Sequence, residues 1–421
     1  MNQIYGSKLN PHRQLKKPLA LKGVRQSVIL THNPSSINAG DTLKVLFPKL
    51  GQDDVIVPGT TKLAFNIDLK SNDDDNRTLY PNVGHNLIKQ MKVSLGGSEI
   101  TNLSHANVYR VFKDTWRPKE EENHYRGIEP ESVTKLRIGA GDADPSHNSG
   151  KDKAIADAFK NRYCIPLEFE MMTESHPFLP SGLSNQLTYE LHFNDSKSVV
   201  KSTDDEATYS MHGISLEFEM VTNKHVADSI RRKLQGKTHF LFERVLNYQS
   251  VDLNKSDTTW NININQSVKS LKGVLLLFKE AGANPGVFYN PKITNTTVTI
   301  EGKPNQLYSQ GLKPYQHWEE IKKFFGDSGS EFGVNVTKDL SLFCLKMGEY
   351  LKNNYGLWLD MRTTDDNKSH GSGRQIGEVG GGVSIHLEKD SETAGVVTCH
   401  VFLVMDAQLS IEGGRFSKAY Y

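Results

Sequence analysis

The chain has 421 residues, with 50 Lys and Arg set against 49 Asp and Glu. That balance excludes a surface coated throughout in positive charge for nucleic acid, and the length admits two domains that each bury a core of their own. The longest uninterrupted apolar runs, Val274–Phe278 and Val401–Met405, are far too short for a membrane-spanning helix, which takes about twenty residues.

In chain order, the first forty residues contain Lys8, Arg13, Lys16, Lys17, Lys22 and Arg25 without a single acid, since the first is Asp41. Residues 1–23 are therefore read as a basic N-terminal arm, either a solvated end or a segment that binds a partner. No signal-peptide pattern opens the chain, and Cys164, Cys344 and Cys399 have neither disulfide-framework nor zinc spacing, which suits a reducing compartment.

Period-2 segments follow. Leu63, Phe65, Ile67 and Leu69 alternate with polar residues, the signature of a half-buried strand. Met91–Ile100 reads as a strand, a Gly96-Gly97 turn and a return strand, and an aromatic, helix-like stretch runs from Asn107 to Trp116. Residues 117–156, rich in charge, Gly and Ser, break the rhythm. Strand patterns resume at Leu187–Phe193 and Ile214–Met220. Helical spacing of Val226, Ile230 and Leu234 then predicts a helix over Lys224–Gln235, stopped by Gly236.

Beyond it, Trp260–Ile264 alternates, and Thr297–Lys303 repeats the strand-turn-strand order of the first half, followed by a second helix-like stretch over Pro314–Phe325. Tyr109 matches Tyr315 and Phe112 matches Trp318 at one common offset. Tyr355–Met361, Val383–Leu387 and Met405–Ile411 are further strands, interrupted by residues 363–382, which are read as a loop. Alternating strands with polar faces outward suit antiparallel sheets. The fold class predicted is all-β, two tandem jelly-roll β-sandwiches with short flanking helices. Residues 24–222 form the first jelly roll, 223–237 a linker helix and 238–421 the second, with 117–156 and 363–382 as outward loops.

Local motifs point away from catalysis. Gly326-Asp327-Ser328-Gly329-Ser330 resembles the surroundings of a nucleophilic serine, yet it follows Phe324-Phe325 at a helix end, where Gly and Ser terminate helices, and no upstream histidine has a matching context. Asp142-Ala143-Asp144 opens like a calcium loop, but His147 stands where the turn needs Gly and Lys153 where a bidentate Glu belongs. Gly371–Gly377 has neither phosphate-loop nor dinucleotide spacing and reads as a flexible loop. The fifteen histidines include no His-Glu-x-x-His pair; His386 points outward by alternation, and Cys399 and His400 face opposite ways on one strand. Tyr189, Trp260 and Trp358 are read as packing elements. No catalytic, cofactor-binding or metal-binding residues are expected.

Two stretches carry a family resemblance: Asn82-Val83-Gly84-His85-Asn86-Leu87-Ile88-Lys89-Gln90-Met91-Lys92-Val93-Ser94-Leu95-Gly96-Gly97, and Cys164-Ile165-Pro166-Leu167-Glu168-Phe169 leading to Phe178-Leu179-Pro180. From about Val24 onward the chain resembles the double jelly-roll major capsid proteins of the lineage that joins adenovirus hexons, tectivirus capsids and the large DNA viruses. It looks closest to the versions of Polinton (Maverick) elements, adintovirus-like relatives and virophages. In that family the segment after the proline strand is often richer in aromatics than Glu170-Met171-Met172-Thr173-Glu174.

The resemblance implies a structural protein and not an enzyme. Homotrimers with a pseudo-hexagonal outline would tile an icosahedral shell, with neighbouring trimers, penton and minor capsid proteins as partners and no cofactor. The place implied is the virion capsid, after synthesis in the host cytoplasm. The basic arm would then lie at the inner face, touching neighbouring subunits, a minor protein, membrane lipid or nucleic acid nonspecifically. Two other readings stand beside it: a two-jelly-roll glycan-active hydrolase or amidase, and a carbohydrate-binding adhesion module.

Overall fold

The computed structural model describes residues 24–116, 162–325 and 347–420, apart from short stretches at 32–33, 35, 58–59, 71–76, 81–82, 168–177, 203–204, 309, 364–370 and 378–380. These residues divide into two compact units, neither continuous in sequence. The first takes the residues up to Asn102, those from 162 to Phe242, and Gln408–Ala419; the second takes those from Leu103 to 116 and the described part of Glu243–Ala407.

In the first unit, one sheet has the order β1 (Val24–Thr31), β12 (Thr208–Thr222), β5 (Lys62–Lys70), β9 (Arg162–Pro166), with β2 (Ser36–Asn38) and β4 (Asp54–Ile56) also paired to β12. The other has the order β3 (Thr42–Leu46), β10 (Leu187–Phe193), β7 (Ile88–Leu95), β8 (Ser98–Ser104). A ribbon joins β6 (Arg77–Leu79) to β11 (Val200–Ser202). Strict alternation sets the register here: along β10 every second residue is buried, from Leu187 through Tyr189 and Leu191 to Phe193, so a one-residue slip would expose the whole set. The two sheets meet through apolar side chains, with the Phe47 ring just past β3 lying 5.8 Å from Phe218 of β12.

The second six-stranded sheet has the order β13 (Lys237–Asn254), β21 (Val396–Glu412), β15 (Val268–Glu280), β18 (Gly356–Asp360), with β19 (Arg374–Ile376) on β15 and β22 (Arg415–Tyr420) on β21. Its companion has the order β14 (Thr259–Ile264), β20 (Val383–Lys389), β16 (Ile293–Ile300), β17 (Lys303–Pro304). Trp260 of β14 stacks 5.9 Å from Phe278 of β15 across this sandwich.

When the eight equivalent strands of each set are counted in chain order, both sandwiches have sheet orders 1-8-3-6 and 2-7-4-5. This is the Greek-key wiring of a jelly roll, present twice. The repeated hairpins occupy equivalent places, β7–β8 and β16–β17. Each turns through two residues of positive φ, Gly96 (59°) with Gly97 (85°) and Glu301 (49°) with Gly302 (75°), the geometry that two-residue hairpins with right-handed strand twist need.

The packing around the hairpins is not repeated. The helix Ala106–Asp114, which follows the first hairpin, belongs to the apolar core of the second unit. There Tyr109 lies 5.5 Å from Phe402, and Phe112 lies 5.2 Å from Phe288 and 5.6 Å from Phe325. The helix Pro314–Phe325 stacks Phe324 on Trp358 at 3.8 Å. The sequence match of Tyr109 with Tyr315 is therefore not a match of environment: Tyr109 is buried, whereas Tyr315 is 65% exposed.

With helices on its outer side, the sheet of the second unit does not show the outward polar face expected of it. Val274–Phe278 and Val401–Val404 are buried at every position, and so is the whole of β18. Unbroken apolar runs are what strands covered on both faces require. Gly356 in β18 permits a close approach, because a Cβ there would stand 2.6 Å from Cζ of Phe112.

The helix over Lys224–Gln235 forms as expected, with the Asn223 side chain accepting a hydrogen bond from the Val226 amide at 3.1 Å and Ala227, Ile230 and Leu234 buried. The loop expectation for 363–382 needs correction. Gly371–Gly377 contains β19, which pairs with β15, and both Ile376 and Ser372 are buried. Sheet pairing and burial bind this stretch to the sandwich. The other expected loop, 117–156, lies outside the described residues, as do the Asp142–Ser146 and Gly326–Ser330 motifs.

Candidate functional site

Lys8, Arg13, Lys16, Lys17 and Lys22 lie outside the described residues. Arg25 is placed in the edge strand β1, where its guanidinium grips Glu219 of β12 at 2.7 Å, both side chains partly exposed. An exposed pair of this kind adds little stability to the sandwich edge.

A largely buried ionic constellation sits on the long sheet of the second unit, on three neighbouring strands. Lys272 lies at the bulge of β15, Asp406 on β21 beside it, and Glu243 on β13 on the far side of β21. The Lys272 Nζ is 3.1 Å from Asp406 Oδ1 and 3.2 Å from Glu243 Oε2. Side-chain exposure is 3% for Lys272, 7% for Asp406 and 26% for Glu243. Asp406 Oδ2 accepts two further hydrogen bonds, from the Ser270 hydroxyl at 2.7 Å and the Gly371 amide at 2.8 Å.

Burial pulls the Lys272 ammonium pKa down, but the two carboxylates outweigh it and leave the group above its ordinary value. Burial likewise pushes the Asp406 carboxyl up; the Ser270 hydroxyl, Lys272 and the Gly371 amide overcome it and hold the acid below the usual range. The resting state is an ion pair of the Lys272 ammonium with the two carboxylates. Sequence reasoning missed this set. Its signal was a lysine beside the apolar run Val274–Phe278 and an aspartate directly after Val401–Met405.

Other polar groups are structural. Asp360 receives Arg362 Nε at 2.9 Å, and the Tyr308 hydroxyl donates to Glu320 at 3.0 Å while accepting the Asp360 amide at 2.8 Å. His317 shares a 2.9 Å bond with the Tyr355 hydroxyl, and His400 a 2.8 Å bond with Ser250. Cys399 is fully buried, and burial pushes its thiol pKa up, which suppresses the reactive thiolate. Tyr189, Trp260 and Trp358 are buried packing elements. Among the described residues, no three His, Cys, Asp or Glu side chains converge as a metal site.

No protein-family model matches the chain, and no curated protein matches it in sequence. Solved structures do match along nearly its full length. The capsid of the virus PBCV-1 is 11% identical, with 95% of this chain and 97% of that one covered at a TM-score of 0.59. The Faustovirus major capsid protein is 9% identical, with 96% and 92% covered at 0.60. The mavirus major capsid protein is 11% identical, with 96% and 92% covered at 0.52. The chain has the double jelly-roll fold of these viral proteins.

Proposed function

We propose that this chain is a major capsid protein, a structural and non-enzymatic subunit that assembles with copies of itself into an icosahedral shell. The observation that carries the reading is the doubled strand order, 1-8-3-6 over 2-7-4-5, within one chain that matches viral capsid proteins over nearly its whole length. A chain with two like sandwiches gives a homotrimer six similar sides, which is the outline a hexagonally tiled shell needs.

The edge strands support self-association. β1 and β13 hold equivalent positions in their sheets, and they carry exposed Ile29 (65%) and Leu241 (48%). Among the described residues no strand pairs with the outer side of either, and a strand edge with apolar side chains is a pairing surface that a monomer normally blunts. The finer assignments follow from the same reading: homotrimers as the building block, penton and minor proteins as further partners, and the 1–23 arm at the inner face touching protein, lipid or nucleic acid phosphate. The protein would be made in the host cytoplasm and reside in the virion, with the capsid proteins of Polinton-like elements and virophages among its relatives.

Light scattering with negative-stain imaging of the purified full chain tests this. Trimers with a six-cornered outline, or closed shells, are expected. A stable monomer that binds glycans would overturn the reading in favour of an adhesion module, and glycan cleavage in favour of a hydrolase.

A further inference from the structure

We propose that Lys272 and Asp406 condense into an intramolecular amide, catalysed by Glu243, so that strands β15 and β21 become covalently joined. The inference stands on the geometry of the buried triad and not on the shell reading.

Three features of the site match what amide formation demands. The nucleophile and the carboxyl are held in contact at 3.1 Å on adjacent strands, so the encounter costs no further ordering. Asp406 Oδ2 already receives two donors, the Ser270 hydroxyl and the Gly371 amide, placed where negative charge would develop when Cγ becomes tetrahedral. Glu243 touches Lys272 Nζ at 3.2 Å and is the one partly exposed member, so it can relay protons while water leaves.

The atoms balance without any other reactant. One ammonium proton passes from Nζ to Asp406 Oδ1, leaving an amine beside a carboxylic acid. The Nζ lone pair attacks Cγ, a C–N bond forms, and the charge moves to Oδ2 under its two donors. Glu243 takes a second proton from Nζ and delivers it to Oδ1. The Cγ–Oδ1 bond breaks, Oδ1 departs as water, and Glu243 returns to its starting state. The resting ion pair sets the barrier, since the reactive form needs the pair neutralised. The low-dielectric setting favours the product, because a neutral amide replaces two charges whose desolvation the fold otherwise carries.

Intact-mass measurement of the denatured full-length protein, with peptide mapping after proteolysis, reads the outcome directly. The expected result is a mass lower by one water and a branched peptide joining the Lys272 and Asp406 segments. Lys272→Arg should restore the full mass, and Glu243→Gln should slow the bond's appearance about a hundredfold or more, as loss of a general acid–base does. Full sequence mass and unbranched peptides after prolonged incubation of the wild-type protein would overturn the proposal. So would a water loss that persists in Lys272→Arg, which would place the dehydration elsewhere.

Discussion

Acid should loosen the second unit well before its carboxylates are neutralised, because it buries two neutral imidazoles. His317 is 1% exposed, and burial lowers its pKa to about 4, with the Leu312 carbonyl pulling weakly the other way. His400 is 7% exposed and lowered to about 3, chiefly by burial, then by the nearby His105 and Lys279 charges, with Asp252 opposing. In the unfolded chain both rings take a proton near pH 6.5. The folded state thus binds fewer protons than the unfolded one, so stability is fully present above about pH 6.5 and falls as the pH drops towards 4 and below. At about pH 5 each ring has lost roughly 1.5 pH units of linkage, about 2 kcal/mol, and the pair together about 4 kcal/mol. Against a total stability of about 5–15 kcal/mol for a domain, that is large. Urea titrations at about pH 7.5 and pH 5, followed by tryptophan fluorescence, should show the midpoint falling. A double variant, His317→Asn with His400→Asn, should be weaker at neutral pH but much flatter with pH. If it keeps the wild-type slope, these rings are not the acid-sensitive groups and the burial reasoning fails.

Gly356→Ala should cost about 1–3 kcal/mol in the same titration, because its Cβ would press on Phe112 and on the Leu277 side chain at 2.9 Å, and neither can move in a filled core. Ile29→Lys combined with Leu241→Lys should leave the circular dichroism spectrum and melting temperature of the chain nearly unchanged while abolishing trimers in light scattering, since both side chains are exposed on edge strands. Deleting residues 1–23 should leave trimers folded, since β1 begins at Val24, yet impair shell assembly and weaken its salt dependence. Normal shells with unchanged salt sensitivity would make the arm a passive terminus.

The elements legible in the sequence are those whose side chains alternate between core and solvent. β5, β10, β14 and β20 could be read residue by residue because a period of two is a local signal, and the helical spacing of Val226, Ile230 and Leu234 ahead of Gly236 marks a helix without any tertiary partner. β19 was not legible: three residues long, it offers Ile376 as its only apolar side chain among glycines, and only β15 across the sheet makes it a strand. The ionic triad was equally hidden, because Glu243, Lys272 and Asp406 are distant in sequence and meet only through the 1-8-3 strand order. The basic composition of the arm was plain, whereas the pairing of Arg25 with Glu219 was not, since it depends on the strand pairing of β1 to β12.

The duplication itself separates two kinds of information. Strand order and hairpin geometry recur because they are written in alternation and in positive-φ turns, which act locally and tolerate different side chains. What lies over the sheet need not recur, since a strand's second face can meet solvent or a helix without altering its hydrogen-bonded register. In this chain the second unit takes the helical option: Val274–Phe278 has no polar alternation, Gly356 leaves room where a side chain would clash, and the helix Ala106–Asp114 from the other half of the sequence supplies aromatic cover. The unbroken run was therefore a sign of a covered sheet all along, as an apolar run of five residues in a β context can satisfy both faces only if both are buried. Equivalent positions in the two halves should accordingly respond differently to mutation: truncating Tyr109 removes a buried ring packed on Phe402, whereas truncating the exposed Tyr315 removes a surface one.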